Sequence, residues 1–287
     1  MVTRTSETAH PIMPLPPGRK RRSPSASRVT FDPDADGRLL ALVRNATFIS
    51  NRQLIELAER GHIKATRSAI RQRIGRCLER ELIQVVPAKT VHTGAIYQIT
   101  RWGLNALESF GLGISSISSE TERLPSPFQA SHFLDLNEVR IAFLRTQLLS
   151  EFEWVSDPEI KTYNATPLVR PFAKDYDAVV KLTDRNGQAF QIGVEYERTY
   201  KTIQRYEEIA ERIETEKELS CVLYIASSST MVPRLVDSIR CPTFPICVTA
   251  TGILCQQTLN ATVGFLAGQT PRTSTLRQYL ATIKHPL

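Results

Sequence analysis

The sequence has few of the residues and patterns that mark several protein classes. Its five cysteines include no Cys-x-x-Cys pair, so neither a disulfide framework nor a zinc finger is indicated. There is no Gly-x-x-x-x-Gly-Lys-Ser/Thr loop for nucleotide hydrolysis. There is also no apolar run of about 18 residues, the length that a membrane span needs, and no signal-peptide core near the N-terminus. We therefore expect a cytoplasmic protein with no membrane partner.

Basic residues are present in excess, and they are unevenly distributed. The chain has 287 residues and a net charge of +7, a length that allows two domains. Residues 1–115 contain 18 basic and 9 acidic side chains, whereas the remainder contains 18 basic and 20 acidic ones. This asymmetry predicts that the first part of the chain binds a polyanion and that the second part has another role.

Changes in composition divide the chain into five segments. Residues 1–33 are rich in Pro, Ser, Thr and Arg and predict a disordered basic tail. Residues 113–129 are rich in Gly, Ser and Pro and predict a linker. The linker separates a domain at 34–112 from a second domain at 130–257. Residues 258–287 follow as a C-terminal extension that we expect to be partly helical.

The first domain, residues 34–112, has the pattern of three helices followed by a β-hairpin. Apolar residues recur at helical spacing, and Ser50 and Thr66 stand where they can cap the second and third helices. Two β-like segments, 83–86 and 95–99, flank a polar loop and predict a hairpin with a wing. This order is typical of a winged helix-turn-helix domain, whose third helix lies in the major groove of DNA.

The third helix of this domain is rich in arginine. Residues 66–80 contain five arginines and one acid, Glu79, whereas a merely solvated helix face would alternate Glu and Lys. Arginines on such a helix contact phosphates or guanine edges, and the wing contacts the neighbouring backbone. We therefore expect double-stranded DNA as a partner and an association with the nucleoid. The candidate DNA-binding residues are Arg67, Arg71, Arg73, Arg76, Arg80, Lys89 and His92.

The second domain has the pattern of a mixed α/β sheet. A helix at 132–151 precedes three strand-like segments, and helix, strand, helix and strand follow. Helices placed between strands in this way cover both faces of a sheet. The second domain is thus predicted to be α/β, and the whole chain to be α+β.

Acidic residues occur where this sheet could hold a metal ion. Asp177 opens one strand, and the period of two in the next strand places Glu195 and Glu197 on the same face. Glu138, on the preceding helix, is a further candidate carboxylate. Carboxylates that share a site can hold Mg²⁺, which activates water and neutralises charge on a phosphate. Phosphodiester hydrolysis is therefore one candidate activity.

Together these features resemble the PD-(D/E)xK nuclease superfamily, and more closely the replication-relaxation family of mobile-element proteins. The resemblance extends over about residues 36–226. It implies a winged-helix DNA binder joined to a restriction-endonuclease-like domain, linked to the replication, relaxation or transfer of plasmids and integrated elements. It also implies that Asp177 and Glu195 are the two metal-binding acids. Besides the winged helix, the matching segments are Leu136–Arg140, Asp175–Ala178 and Val194–Thr199, which is followed by a helix containing Tyr206.

The sequence departs from the nuclease pattern at Glu197. That pattern has a lysine there, two residues after the second acid, where its charge orients the attacking water. Lys201 or Arg198 could replace it by reaching back from the next helix. An alternative without a functional site is that these acids only form salt bridges with Arg198 and Lys201 at a solvated strand end.

Three functions therefore remain open from the sequence. The protein could cleave or nick DNA with Mg²⁺. It could instead bind DNA without catalysis and use the second domain for homodimerisation or for recruiting replication or transfer proteins. It could also be a protein-interaction adaptor whose basic face is incidental.

Overall fold

Helices and strands are mixed along the whole of the sequence that the structure describes. The structure is a computed structural model, and it describes residues 32–61, 63, 65–87, 94–112, 124–165 and 170–283. Most of the expected basic tail and linker lies outside these ranges, as do the expected DNA-binding residues Lys89 and His92. Within the ranges, no helix is both long enough and apolar enough to cross a membrane.

The described residues of the first part of the chain form four helices and a small antiparallel sheet. Its sheet has the strand order β1-β3-β2. The predicted order of three helices and a hairpin is present, with β1 as an additional short strand. The elements are α1 (Ala35–Ala46), β1 (Ile49–Ser50), α2 (Asn51–Arg60), α3 (Arg67–Glu79), β2 (Ile83–Val85), β3 (Ile96–Ile99) and α4 (Arg101–Ser109).

Side-chain caps determine where α2 and α3 begin. The Ser50 hydroxyl accepts a hydrogen bond from the backbone N–H of Gln53, and the Gln53 side chain accepts one from the backbone N–H of Ser50. This reciprocal pair is a capping box. The Thr66 hydroxyl accepts from the backbone N–H of Ala69 at 3.3 Å. Both predicted caps are confirmed.

The second part of the chain, as far as the structure describes it, forms one seven-stranded sheet with helices packed on it. The strand order is β10-β9-β8-β7-β6-β5-β4. Strands β6, β7 and β8 are parallel, and the other neighbours are antiparallel. The predicted mixed sheet is thus present. The elements are α5 (Ala130–Arg145), β4 (Leu149–Ser156), α6 (Asp157–Asn164), β5 (Ala178–Asp184), β6 (Ala189–Glu197), α7 (Ile203–Ile213), β7 (Cys221–Ala226), α8 (Val232–Ser238), β8 (Ile246–Ala250), α9 (Thr251–Gln257), β9 (Thr262–Ala267), β10 (Thr270–Thr275) and α10 (Leu276–Thr282).

Two boundaries of the second part differ from the sequence prediction. The helix expected at 132–151 ends at Arg145, because β4 begins at Leu149 and alternates exposed glutamates with partly buried aromatic side chains. Residues 258–283 are more than a helical extension, since β9 and β10 add a hairpin to the sheet before α10. Gly268 turns this hairpin with a φ of 65°, a conformation that favours glycine. The outer strand β10 carries Pro271 and Arg272, both exposed.

Helix α5 belongs to two hydrophobic cores. Val139 and Phe143 are buried against the seven-stranded sheet. Ile141, on another side of the same helix, is buried in the core of α1 to α4. Since three residues of one helix fill two cores, the two parts of the chain are packed together rather than merely tethered.

Polar contacts strengthen the attachment of α5 to the first part of the chain. The buried Asn137 side chain donates a hydrogen bond to the backbone oxygen of Phe48 at 2.9 Å. Arg145 donates two hydrogen bonds to the carboxylate of Glu56, at 2.6 and 2.7 Å. The paired guanidinium and carboxylate groups fix the relative orientation of α2 and α5, because bidentate contacts of this kind are directional.

Candidate functional site

Several charged residues of the second part lie at one edge of the seven-stranded sheet. Ala178 pairs with both Ser156 and Val194, so the end of β4, the start of β5 and the end of β6 lie side by side. Strands β7 and β8 run parallel to β6, and their carboxyl ends therefore lie at the same edge. Ligands of open α/β sheets bind outside such strand ends. We call this region, residues 156–157, 174–178, 195–201, 226–231 and 250–251, the carboxyl edge.

Asp177 is held at this edge by two donors. Its Oδ2 accepts a hydrogen bond from the backbone N–H of Tyr196 at 2.7 Å, and its Oδ1 lies 3.2 Å from Nε2 of His132 on α5. Burial acts to raise the pKa of Asp177, but His132 and the backbone donor outweigh it and lower that pKa. Burial acts to lower the pKa of His132, but Asp177 outweighs it and raises that pKa. The contact therefore favours a carboxylate facing an imidazolium.

Glu195 and Glu197 lie on the face of β6 opposite to α5. Their neighbours Val194 and Tyr196 fill the core on the α5 side of the sheet, so the alternation of a strand turns both glutamates to the other face. The glutamates are only 8% and 3% exposed. They are therefore not at a solvated strand end, and the alternative without a functional site is wrong on this point.

Each buried glutamate forms an ion pair with a different lysine. Lys174 pairs with Glu195, and Lys201 pairs with Glu197. Burial raises the pKa of Glu195 to about 7, against the charge of Lys174 and with the help of nearby Asp177. Burial likewise raises the pKa of Glu197 against its lysine. Carboxyl groups perturbed by burial and by a specific charge partner are characteristic of functional sites.

Sequence reasoning missed Lys174. It singled out Lys201, which the structure brings to Glu197 and not to Glu195. Lys174 precedes β5 by four residues, and the antiparallel pairing of β5 with β6 brings this segment next to Glu195. The feature of the sequence that could have identified Lys174 is its position three residues before Asp177.

A buried tyrosine faces the same two glutamates. The Tyr224 side chain is fully buried, and its hydroxyl has no hydrogen-bond partner within the part of the chain that the structure describes. Burial raises the pKa of Tyr224, and the charges of Glu195 and Glu197 raise it further. Buried hydroxyls are almost always hydrogen-bonded. This one is therefore an unsatisfied buried donor beside the glutamates.

Glu138, expected as a further acid of this site, lies elsewhere. Its carboxylate pairs with Arg52 and accepts a hydrogen bond from the Gln53 side chain at 2.5 Å. His132 and Glu138 are six residues apart, which turns them about 120° from each other around a helix. Because His132 faces Asp177, Glu138 faces α2 instead. It therefore joins the two parts of the chain.

The donors at the carboxyl edge meet some of the needs of a metal ion. In the described ranges, no three His, Cys, Asp or Glu side chains are arranged to hold one. Mg²⁺, however, usually takes only one or two carboxylates and completes its shell with water and substrate phosphate. Asp177 and Glu195 fit this need by their chemistry, and a metal ion there would take the place of Lys174 at Glu195 and of His132 at Asp177.

The arginines of α3 divide into paired and unpaired groups. Arg76 donates two hydrogen bonds to Asp36, which is fully buried. It therefore stabilises the fold, and the sequence prediction that it contacts DNA is not supported. Arg67 is exposed and makes a bidentate pair with Glu59, at 2.9 and 3.0 Å.

Two other arginines of α3, Arg71 and Arg73, have guanidinium groups that a partner could bind. Among the residues described, none forms a hydrogen bond or ion pair with Arg71 or Arg73. Arg71 is exposed and lines a cleft of about 600 Å³ between α3 and the start of β3. Arg80 ends α3 as its C-terminal cap. The structure thus presents at least Arg71 as a guanidinium open to a partner.

Comparisons with known proteins give no relative on which to base a function. No protein-family model matches the chain, and neither a curated protein nor a solved structure matches it. The residues of α3 and of the carboxyl edge are therefore the basis on which a function can be proposed.

Proposed function

We propose that this chain binds duplex DNA through its first part, acting as a winged helix-turn-helix. The observation that carries the proposal is the unpaired Arg71 on the outer face of α3, beside a cleft that separates this helix from the hairpin. Guanidinium groups on the third helix of such a domain bind phosphates and guanine edges. The excess of basic over acidic residues in the first 115 positions favours the same partner.

The resemblance to the replication-relaxation family supports a more specific role. Proteins of that kind act on mobile genetic elements, as accessory factors in replication, relaxation or transfer. The second part of this chain is then a restriction-endonuclease-like domain that acts close to the DNA bound by α3. Replication or transfer proteins and a second copy of the chain are its proposed protein partners.

Binding to a labelled duplex at several salt concentrations tests the DNA-binding proposal. The double variant Arg71→Ala/Arg73→Ala should bind more weakly and lose about one unit of salt slope for each phosphate contact removed. The double variant Arg185→Ala/Arg277→Ala is the matched control, because it removes the same charge from exposed positions far from α3 in sequence. Equal losses in the two double variants would show that only net charge matters.

A second candidate function is metal-dependent cleavage of the bound DNA. It is favoured by the pair of buried glutamates at the carboxyl edge, each paired with a lysine, and by the unsatisfied Tyr224 hydroxyl beside them. Asp177 and Glu195 would hold Mg²⁺, which would supply charge neutralisation at the phosphate and a more acidic bound water. Lys174 then provides the positive charge that the nuclease pattern has at position 197.

Conversion of supercoiled plasmid to nicked or linear forms tests this candidate. Wild-type protein with Mg²⁺ or Mn²⁺ should convert the plasmid, whereas chelator should stop the conversion. Glu195→Gln and Lys174→Met should abolish cleavage and retain duplex binding. Glu153→Gln, an exposed substitution on β4, is the control and should leave both cleavage and duplex binding unchanged. Retarded but intact plasmid in both metals would favour the non-catalytic alternative, in which the second part serves dimerisation or recruitment.

A further inference from the structure

A surface at the carboxyl edge combines exposed aromatic rings with arginines. Phe128, in the short turn that leads into α5, is 94% exposed. Tyr200 is 37% exposed and lies under the guanidinium of Arg234, whose central carbon is 4.2 Å from the ring centroid. Arg198 is exposed and hydrogen-bonds to Ser131. We call Phe128, Arg198, Tyr200 and Arg234 the aromatic-basic surface.

The contact between Arg198 and Ser131 brings these residues together. It joins the end of β6 to the start of α5. Phe128 is three residues from Ser131, and Tyr200 is two residues from Arg198. The reach of the two chain segments, of the Arg198 side chain and of the rings themselves therefore keeps the two rings within about 35 Å of each other. This distance corresponds to a few nucleotides of an extended strand.

The charges around this surface favour an anionic partner. Of the acids close to this surface in sequence, Glu197 pairs with Lys201 and Glu208 pairs with Arg205, whereas Asp237, three residues after Arg234, has no ion-pair partner among the residues described. Arg198 and Arg234 have no carboxylate partner among the residues described. The loop that follows β7, residues 227–230, adds exposed hydroxyl groups beside the backbone of Arg198.

We propose that the aromatic-basic surface binds an unpaired DNA strand. Exposed aromatic rings beside arginines are the combination that holds single strands, because bases stack on the rings while the guanidinium groups bind the phosphates. A duplex keeps its bases stacked inside and cannot use Phe128 in this way. The surface is separate from α3, so this proposal goes beyond duplex binding and does not depend on it.

A labelled oligothymidine of 15 nucleotides and a duplex of the same length test the proposal by fluorescence anisotropy. The double variant Phe128→Ala/Tyr200→Ala should lose about tenfold or more in affinity for the single strand. It should keep the duplex affinity of the wild type. The double variant Phe110→Ala/Tyr163→Ala, which removes exposed aromatic side chains elsewhere, is the matched control.

A second measurement reports stacking directly. The variant Tyr200→Trp should bind the oligothymidine as the wild type does, and its added indole fluorescence should be quenched as bases stack on it. A wild-type protein that does not bind oligothymidine would overturn the proposal, as would equal losses in the two double variants. Failure of the duplex-binding proposal is distinguishable from failure of this one. In that case the wild type would not bind the duplex, or Arg71→Ala/Arg73→Ala would bind it as tightly as the wild type, while binding of the single strand persisted.

Discussion

Arg71 and Arg76 lie on the same helix and have different roles. Arg76 is paired with Asp36, which is fully buried, whereas Arg71 faces solvent. The helical period explains the difference, since five residues turn the side chain by about 140°. The sequence shows both as members of one arginine-rich helix. It cannot show which of them meets a buried acid 40 positions away.

The first prediction concerns this buried pair. Arg76→Ala should lower the free energy of unfolding by about 3 kcal/mol, because it leaves the carboxylate of Asp36 buried without its partner. Arg71→Ala should change the stability by no more than about 0.5 kcal/mol. Urea unfolding followed by circular dichroism measures both. A double variant Asp36→Asn/Arg76→Ala that is no more stable than Arg76→Ala would argue against an unpaired charge as the cause.

The second prediction concerns the pH dependence that Glu195 contributes. A raised pKa in the folded state means that folding favours the protonated form, so the stabilisation is complete below a pH of about 4.5 and is lost as the pH rises through about 7. Between pH 5 and pH 8, the wild type should therefore lose about 2 kcal/mol relative to Glu195→Gln. Urea unfolding in chelator at pH 5, 6, 7 and 8 measures the difference. Parallel curves for the two proteins would mean that the pKa of Glu195 is not raised.

The acids of the carboxyl edge were predictable to different degrees. The period of two in β6 predicts that Glu195 and Glu197 share a face, and the structure places them so. Lys174 was not predictable in the same way, because its proximity to Glu195 depends on the register of two strands. The pairing of His132 with Asp177 depends on how α5 packs across the sheet, and no local pattern encodes that distance.

At the scale of elements, α5 is a helix whose role the sequence predicted only in part. Its apolar residues predict a helix over a sheet, and the structure confirms that packing. The second buried side, with Ile141 in the other core, is not evident from a single apolar stripe. The C-terminal end was predicted six residues too late, because Leu148 continues a helical spacing that β4 interrupts.

The third prediction concerns the buried amide of α5. Asn137→Leu should destabilise the protein by about 1 to 3 kcal/mol, because it removes the donor to the backbone oxygen of Phe48 and leaves that buried oxygen unsatisfied. Asn105→Leu, at an exposed position of α4, is the control and should change little. Thermal and urea unfolding measure the two variants. Equal stabilities would show that this hydrogen bond does not hold α5 in place.

At the scale of the molecule, the two parts of the chain are expected to unfold together. Helix α5 fills both cores, so neither core is complete without the other part. Composition predicts the change from a basic first part to a near-neutral second part. It does not predict how closely they pack, because that depends on side chains of one helix that meet both.

The fourth prediction uses the two tryptophans of the chain. Trp102 lies on α4 in the first part and Trp154 on β4 in the second part. The variants Trp102→Phe and Trp154→Phe leave one reporter in each part, and their fluorescence should give coincident unfolding midpoints in urea. Two separated midpoints would show that the parts unfold independently despite the shared helix.

The hairpin of β9 and β10 also bears on how copies of the protein meet. Strand β10 ends the sheet on one side, and its exposed Pro271 lacks the N–H that a further strand would need, while Arg272 adds a charge. Such residues on an outer strand oppose the addition of a strand from another chain. Growth of the sheet from molecule to molecule, the first step toward fibrillar aggregates, is therefore disfavoured at this end.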